Sequence, residues 1–186
     1  MRGVTAIGIL LYALYPLLIF AGLHFLDPRT LGGLVLFMLL LRYRQDAVSL
    51  FAGLSRLLWA ALALPVALGL SVVATNNETL LLLYPASISV SLLFLFGSTL
   101  LQPPTMVERI ARLDGARPSP ALERYTRRIT EVWCLFFIVN GALAVYTALH
   151  ASRETWAFYN GFIAYLLMGC LFAGERLARR RALPGG

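Results

Sequence analysis

The stretch VWCLFFIVNGALAVYTAL, residues 132–149, decides the fold because it contains no charged side chain. A helix rises about 1.5 Å per residue, so about 20 residues cross the hydrocarbon core of a bilayer. Arg124, Arg127 and Arg128 precede the stretch, and Trp133 stands at its start. Arginines beside an apolar run and a tryptophan at its end are typical of a transmembrane helix. We therefore predict a membrane span here, with Trp133 as an interfacial anchor. Trp156, at the start of the apolar run Trp156 to Ala173, is predicted to be a second anchor.

The composition of the whole chain agrees with a membrane protein. Of its 186 residues, 59% are hydrophobic, and the mean hydropathy is +0.75, whereas soluble domains are closer to half apolar. All sixteen basic residues are arginine, and the formal net charge is +7. Because the arginines cluster beside apolar runs, they indicate loops that face anionic lipid rather than a surface for nucleic acid.

Apolar runs of similar length predict an all-α bundle of six transmembrane helices in a single integral membrane domain, residues 1–186. The spans cover about residues 4–26, 28–43, 56–75, 79–101, 132–150 and 155–174. The second span is short, since its purely apolar stretch runs only from Leu31 to Leu41, so Arg42 must snorkel or the bilayer must thin. Asp27-Pro28 is expected to start this span, and Asn76 or Asn77 to cap the fourth.

The distribution of arginines predicts the orientation. With the N-terminus inside, only Arg29 and Arg153 fall outside, and fourteen arginines fall inside. The inner set consists of Arg2, Arg42, Arg44, Arg56, Arg109, Arg112, Arg117, Arg124, Arg127, Arg128, Arg176, Arg179, Arg180 and Arg181. The positive-inside rule then predicts that both termini lie in the cytoplasm.

Residues 102–131 are the longest polar segment and are predicted to be cytoplasmic. Pro103-Pro104 should end the fourth span, and the pattern Thr105-x-x-Glu108 is a capping box that starts a short helix. Asp114-Gly115 is expected to end that helix. Its apolar face would hold Met106, Ile110 and Leu113 against the membrane surface, with Glu108, Arg109 and Arg112 towards water.

Ser119-Pro120 predicts the start of a further helix that continues into the fifth span. Together with the preceding helix it forms a basic collar at the inner leaflet. The candidate binding residues of this collar are Arg109, Arg112, Arg124, Arg127 and Arg128. Two interpretations are open: the arginines only determine topology, or they bind an acidic partner or a lipid head group.

Several polar residues fall inside the predicted spans, where buried polar groups are costly and often functional. Asn140 and Asn160 lie on neighbouring spans, and each is followed by a glycine. This pattern predicts a hydrogen bond between the helices through the amide side chains. The alternative is that the two residues line a substrate path. Two stripes of small or hydroxyl side chains predict helix packing, or else a path for a polar solute. They are Tyr84, Ser87, Ser91 and Ser98 on the fourth span and Ala63, Ala67 and Ser71 on the third.

Glu131 and Glu175 lie at the cytoplasmic ends of the fifth and sixth spans, where we expect ion pairs with nearby arginines. A carboxylate that faced a cavity instead would be a proton-relay candidate. Cys134 and Cys170 are expected to be small buried hydrophobes. Since the chain contains no catalytic or metal-ligand pattern, we expect no enzyme activity, metal site or cofactor.

The second half of the chain resembles a known family. The residues that carry the resemblance are the run Pro103 to Ile110, the run Trp133 to Ile138, Gly141, Tyr146-Thr147-Ala148 and Trp156. They are similar to the intracellular septation protein A family of small polytopic inner-membrane proteins. The chain is more similar still to a group of inner-membrane proteins encoded beside aryl-polyene (xanthomonadin-like pigment lipid) biosynthesis genes. The resemblance implies a multi-pass location in the bacterial inner membrane and a role in the cell envelope. It transfers no catalytic residues.

The leading hypothesis is a non-enzymatic scaffold that organises soluble enzymes of envelope or aryl-polyene lipid biogenesis at the inner leaflet. Its partners would be membrane lipids and cytoplasmic lipid-biosynthesis enzymes or acyl carrier protein. Alternatives are a small transporter or flippase for a lipid-linked product, with Asn140, Asn160 and the serines of the fourth span lining its cavity, and a septation-related envelope protein. A membrane enzyme that uses Glu131 or Glu175 is a further alternative.

Overall fold

The computed structural model describes residues 27–34, 55–113 and 115–182, and it is helical wherever it is regular within these ranges. Residues 28–34 form a helical segment. The remaining elements are α1 (Ser55–Thr75), α2 (Glu78–Leu82), α3 (Tyr84–Leu101), α4 (Met106–Leu113), α5 (Pro120–His150), α6 (Arg153–Phe158), a π-helical turn (Tyr159–Ile163) and α7 (Ala164–Ala182). The predicted all-α class is confirmed for this part of the chain.

Three of these helices are long and apolar enough to cross a membrane. They are Tyr84–Leu101, Pro120–His150 and the continuous helical run Arg153–Arg179, which correspond to the fourth, fifth and sixth predicted spans. The apolar part of α1, Trp59–Thr75, is shorter. The first predicted span lies outside the described residues, and of the second only residues 28–34 are described.

Most of the predicted helix starts are confirmed. The amides of Thr30 and Leu31 donate to the carbonyl of Asp27, so a helix does begin at Pro28. The side chain of Asn77 accepts from the amide of Thr79 at 2.8 Å. That of Ser119 accepts from the amide of Leu122 at 3.1 Å. Each side chain satisfies a first-turn N–H group that has no partner within its helix.

The fourth and sixth predicted spans are not single regular helices, contrary to expectation. The fourth is interrupted at Leu83, between α2 and α3. Pro85 follows two residues later, and proline has no N–H group to continue the hydrogen-bond ladder. The sixth contains the π-helical turn between α6 and α7. Such turns inside a helix are rare and shift the faces that the flanking residues present.

Packing places α3 between α1 and α5, and α4 against α5. One core cluster joins Leu31, Val72, Leu81 and Trp156. A second tryptophan, Trp133, packs against Val107 and Phe137. Trp133 and Trp156 are only 5% and 1% exposed, so the prediction that they are interfacial anchors is wrong. Their large rings fill space between helices instead.

The prediction that the small-residue stripe on α1 packs against another helix is also wrong. Ala63, Ala67 and Ser71 are exposed, while Ala61 and Val72 are buried. The stripe was inferred from spacing alone, and spacing identifies a helical face without saying which neighbour covers it.

The described arginines separate towards two ends of the bundle. At the end that we call the basic end, the Arg127 guanidinium donates to the carbonyl of Leu100 and the Tyr125 hydroxyl to that of Glu175. These contacts bring the end of α3, the start of α5 and the last part of α7 together. At the opposite end, Arg153 pairs with Glu78 at 2.6 Å, and the Arg29 amide donates to Asn76. Among the described residues, Arg127 of the predicted inner set and Arg29 and Arg153 of the predicted outer set therefore lie at different ends.

Candidate functional site

The short helix α4 lies at the basic end of the bundle, and hydrogen bonds fix both its N-terminus and its C-terminus. The amide of Met106 donates to the Thr99 hydroxyl at 2.9 Å, and that of Glu108 donates to the Thr105 hydroxyl at 3.4 Å. After Leu113, Gly115 has a φ of 92°, and the amide of Ala116 donates to the carbonyl of Ala111. This is the left-handed glycine ending that the Asp114-Gly115 pair predicts.

The faces of α4 differ from the prediction at Glu108 and Leu113. Glu108 is buried, with its carboxylate 2.6 Å from the Arg112 guanidinium, whereas Leu113 is exposed. The prediction placed Glu108 towards water and Leu113 on the apolar face, and it is wrong at both positions. The prediction assumed that α4 lies on a flat membrane surface. Because α4 packs against α5 through Val107, the buried face of α4 is rotated about the helix axis relative to the predicted apolar face.

The five candidate arginines fall into two groups. Three are engaged with the protein itself. Arg109 donates from Nε to the carbonyl of Pro104 at 3.0 Å, Arg112 pairs with Glu108, and Arg127 contacts Leu100 and, at 3.5 Å, Glu131. The other two, Arg124 and Arg128, are exposed. Within the described ranges, no hydrogen bond or ion pair holds the side chain of either. We call Arg124 and Arg128 the exposed arginine pair.

Asn140 connects three helices in the middle of the bundle. Its amide nitrogen donates to the Ser89 hydroxyl on α3 at 3.0 Å. Its carbonyl oxygen accepts from the Tyr159 hydroxyl of the π-helical turn at 3.1 Å. Gly141 permits this approach, because a Cβ atom there would lie 3.2 Å from Cβ of Ser89. The predicted interhelical role is confirmed, but the partners are hydroxyl groups rather than Asn160.

Asn160 makes a separate set of contacts nearer the opposite end. Its amide nitrogen donates to the Thr147 hydroxyl on α5 at 3.2 Å and to the carbonyl of Trp156 at 2.9 Å. Its carbonyl oxygen is buried and accepts no hydrogen bond from the described residues. Sequence reasoning missed Ser89, Thr147 and Tyr159. Only Thr147 carried a signal, since it lies seven residues after Asn140 and therefore on the same helical face.

The serines of α3 belong to helix packing. Ser87 donates to the carbonyl of Tyr84 at 2.7 Å and Ser91 to that of Ser87 at 2.8 Å. Both serines are buried. Their hydroxyl groups are therefore satisfied within α3, which leaves small side chains at the contact with neighbouring helices.

The two candidate glutamates have different environments. Glu131 is about half exposed and pairs with Arg127, as predicted. The side chain of Glu175 is only 9% exposed, and its Oε1 lies 3.6 Å from Arg179 Nε. That oxygen accepts no hydrogen bond in the part of the chain described here.

Glu175 lies at the rim of an apolar groove of 310 Å³ at the basic end, a volume within the range of small-molecule sites. Most of its wall comes from aromatic and aliphatic side chains of α3, α4, α5 and α7, and three charged residues complete it. The lining consists of Leu92, Phe96, Val107, Ile110, Trp133, Phe137, Met168, Phe172, Glu175, Arg176 and Arg179. We call this feature the aromatic groove.

Tyr125 links α5 to the rim of the groove. It lies in the charged first part of α5, before the apolar stretch that begins at Val132. Burial, together with the negative charge of Glu175, raises the pKa of its hydroxyl, although Arg179 opposes the shift. The hydroxyl therefore keeps its proton and can donate to the Glu175 carbonyl at 3.0 Å.

Neither cysteine lines the aromatic groove. Cys134 is half-buried and Cys170 is exposed, so the prediction that both are buried is wrong. Among the residues that the structure describes, no group of three or more His, Cys, Asp or Glu side chains could hold a metal ion.

Comparisons with protein-family models, with curated proteins and with solved structures find no match to this chain.

Proposed function

We propose that the protein is a non-enzymatic scaffold of the inner membrane, with six spans and both termini in the cytoplasm. It presents the exposed arginine pair to an acidic cytoplasmic partner. The observation that carries the proposal is the division of the five candidate arginines. Arg109, Arg112 and Arg127 are held by contacts within the protein, while Arg124 and Arg128 are exposed and make no hydrogen bond or ion pair with the described residues. An exposed cationic pair on a rigid helix attracts and orients an acidic surface.

The contacts of the intramembrane amides favour a scaffold over a transporter. A polar transport path would need Asn140 and Asn160 to line a cavity. Their amide groups instead bond to hydroxyl groups of neighbouring helices, and neither residue lines the aromatic groove. Such contacts stabilise helix association.

The resemblance to envelope proteins supplies the biological setting of the proposal. The role would be in cell-envelope or aryl-polyene lipid biogenesis, with lipid-biosynthesis enzymes or acyl carrier protein as the acidic partner. The collection of most described arginines at the basic end supports a cytoplasmic location for that end.

Binding of purified acyl carrier protein to the chain in nanodiscs tests the proposal. We expect measurable binding by biolayer interferometry that weakens as salt is raised, because exposed charges are screened. The double substitution Arg124→Gln and Arg128→Gln should weaken binding by about tenfold, the effect of losing two exposed charge contacts of roughly 0.7 kcal/mol each.

The matched control is Arg29→Gln with Arg153→Gln, which removes the same charge at the opposite end. It should leave binding unchanged. Equal loss in both double variants would show a general charge effect and would contradict docking at the exposed arginine pair. Absence of binding to acyl carrier protein and to the acidic lipid-biosynthesis enzymes would contradict the scaffold proposal itself.

A further inference from the structure

The aromatic groove combines an apolar wall with a rim that carries both signs of charge. Phe96, Trp133 and Phe137 form its deep side, with ring centroids 5.2 Å apart for Phe96 and Phe137 and 5.6 Å apart for Trp133 and Phe137. Phe172 packs on Trp133 at 5.2 Å and remains half exposed, so the groove opens to the surroundings of the bundle. A wall of this kind favours an apolar chain and offers nothing to a polar solute.

The rim of the groove is built from consecutive turns of α7. Arg176 is exposed, and Arg179 lies one turn further along the helix and lines the groove as well. Guanidinium groups bind phosphate oxygens with paired N–H donors. The rim therefore offers a site for an anionic phosphate at the mouth of the apolar wall.

Glu175 places a further requirement on the ligand, which an anion without a hydrogen-bond donor does not meet. Its side chain is more than nine-tenths buried. Its Oε1 lies 3.6 Å from Arg179 Nε, too far for a hydrogen bond, and accepts no hydrogen bond from any residue that the structure describes. A buried carboxylate oxygen without a donor is costly. A ligand that carries a donor beside its phosphate would satisfy this oxygen while the phosphate contacts Arg176.

We propose that the aromatic groove binds one acyl chain of a membrane phospholipid whose head group contains a phosphate and a primary ammonium. In this arrangement the phosphate contacts Arg176 and Arg179, and the ammonium donates to Glu175. The chain lies along Phe96, Trp133 and Phe172. The source of the ligand is the bilayer itself, because α3, α5 and the run Arg153–Arg179 are long and apolar enough to cross it. The exposed arginine pair takes no part, so this site is independent of partner docking.

Native mass spectrometry of the detergent-purified chain tests the site. The protein is incubated with equal amounts of dioleoyl-phosphatidylethanolamine, dioleoyl-phosphatidylcholine and dioleoyl-phosphatidylglycerol, and retained lipid is counted. We expect the ethanolamine lipid to be retained about tenfold over the choline lipid, which carries no ammonium N–H donor. Glu175→Gln should remove this preference, and Arg176→Gln with Arg179→Gln should lower retention of all three lipids.

Glu131→Gln is the matched control, because Glu131 lies at the same end but outside the groove. It should keep the wild-type preference. Equal retention of ethanolamine and choline lipids by the wild type, or stronger retention of the glycerol lipid, would overturn the proposal. So would an unchanged preference in the Glu175→Gln protein.

A spectroscopic readout covers variants that fold poorly. In a Trp59→Phe background, phosphatidylethanolamine with brominated acyl chains should quench the fluorescence of Trp133, which lines the groove. Trp156 contacts Leu82, away from the groove, and serves as the unquenched reference. Quenching that is equal with and without Leu92→Phe, a substitution that fills the groove from α3 and adds no tryptophan, would place the lipid elsewhere and contradict the proposal.

Discussion

Asn140 illustrates how a single amide can determine the positions of three helices. In lipid, an unsatisfied polar group finds no water, so each donor and acceptor is best paired within the protein. Asn140 is 8% exposed and uses both ends of its amide, towards Ser89 and Tyr159. A leucine of similar size would fill the space without specifying which neighbours it meets.

The Asn140–Ser89 contact should appear as an energetic coupling. In a double-mutant cycle of Asn140→Ala and Ser89→Ala, we expect a coupling free energy of about 1 kcal/mol, within the range found for hydrogen bonds between membrane helices. Unfolding in mixed micelles with increasing dodecyl sulfate measures it. Ser91→Ala is the control, because the Ser91 hydroxyl bonds only within α3. Additive effects of Asn140→Ala and Ser89→Ala would contradict the contact.

At the scale of elements, close approach and interruption matter more than helix length. The contact of α3 with α5 includes Gly141, and small residues at such contacts strengthen dispersion between helices. The break before Pro85 separates α2 from α3. The buried Thr99 hydroxyl accepts a hydrogen bond from the amide of Met106, the first residue of α4. These local features position α4 beside the aromatic groove.

Gly141→Leu should separate α3 from α5. A Cβ atom at this position already lies 3.2 Å from Cβ of Ser89, so a larger side chain must displace a helix. We expect a loss of about 1–3 kcal/mol in the free energy of unfolding, as for other overpacked contacts. Gly169→Leu on α7 should cause no such loss, because nothing lies within 4 Å of a Cβ there. Similar losses in the two variants would contradict the close contact.

At the scale of the whole molecule, charge asymmetry accompanies the helical bundle. Arg29 and Arg153 bond at one end, while Arg109, Arg112 and Arg127 bond at the other. Moving a guanidinium through hydrocarbon is expensive, so we expect the end that holds more arginine to stay on the side from which the chain inserts. Both the scaffold proposal and the lipid proposal depend on which end that is.

Thiol labelling tests this orientation. In a Cys134→Ala and Cys170→Ala background, Arg117→Cys introduces a thiol at the basic end and Ser152→Cys one at the opposite end. We expect a membrane-impermeant maleimide to label position 152 in intact spheroplasts, and position 117 only after the membrane is opened. Labelling of position 117 from the periplasmic side would reverse the orientation and remove the cytoplasmic surface from the scaffold proposal.

The properties that sequence determined by itself are local. Apolar runs predicted the three membrane-length helices, Asp27-Pro28 and Ser119-Pro120 predicted helix starts, and Asp114-Gly115 predicted the end of α4. Each depends on hydropathy along the chain or on the bonding of a few adjacent backbone groups. Such signals do not depend on where other helices lie.

Only the tertiary structure decided which faces meet. It buried Trp133, Trp156 and Glu108, exposed the stripe on α1, and paired Asn140 with Ser89 instead of with Asn160. The rotation of each helix about its axis depends on the shapes of its neighbours. In a membrane, apolar residues of nearly equal hydropathy have similar free energies in lipid-facing and in buried positions, so hydropathy does not fix that rotation. For that reason the aromatic groove, which draws on four helices, has no signature in the sequence.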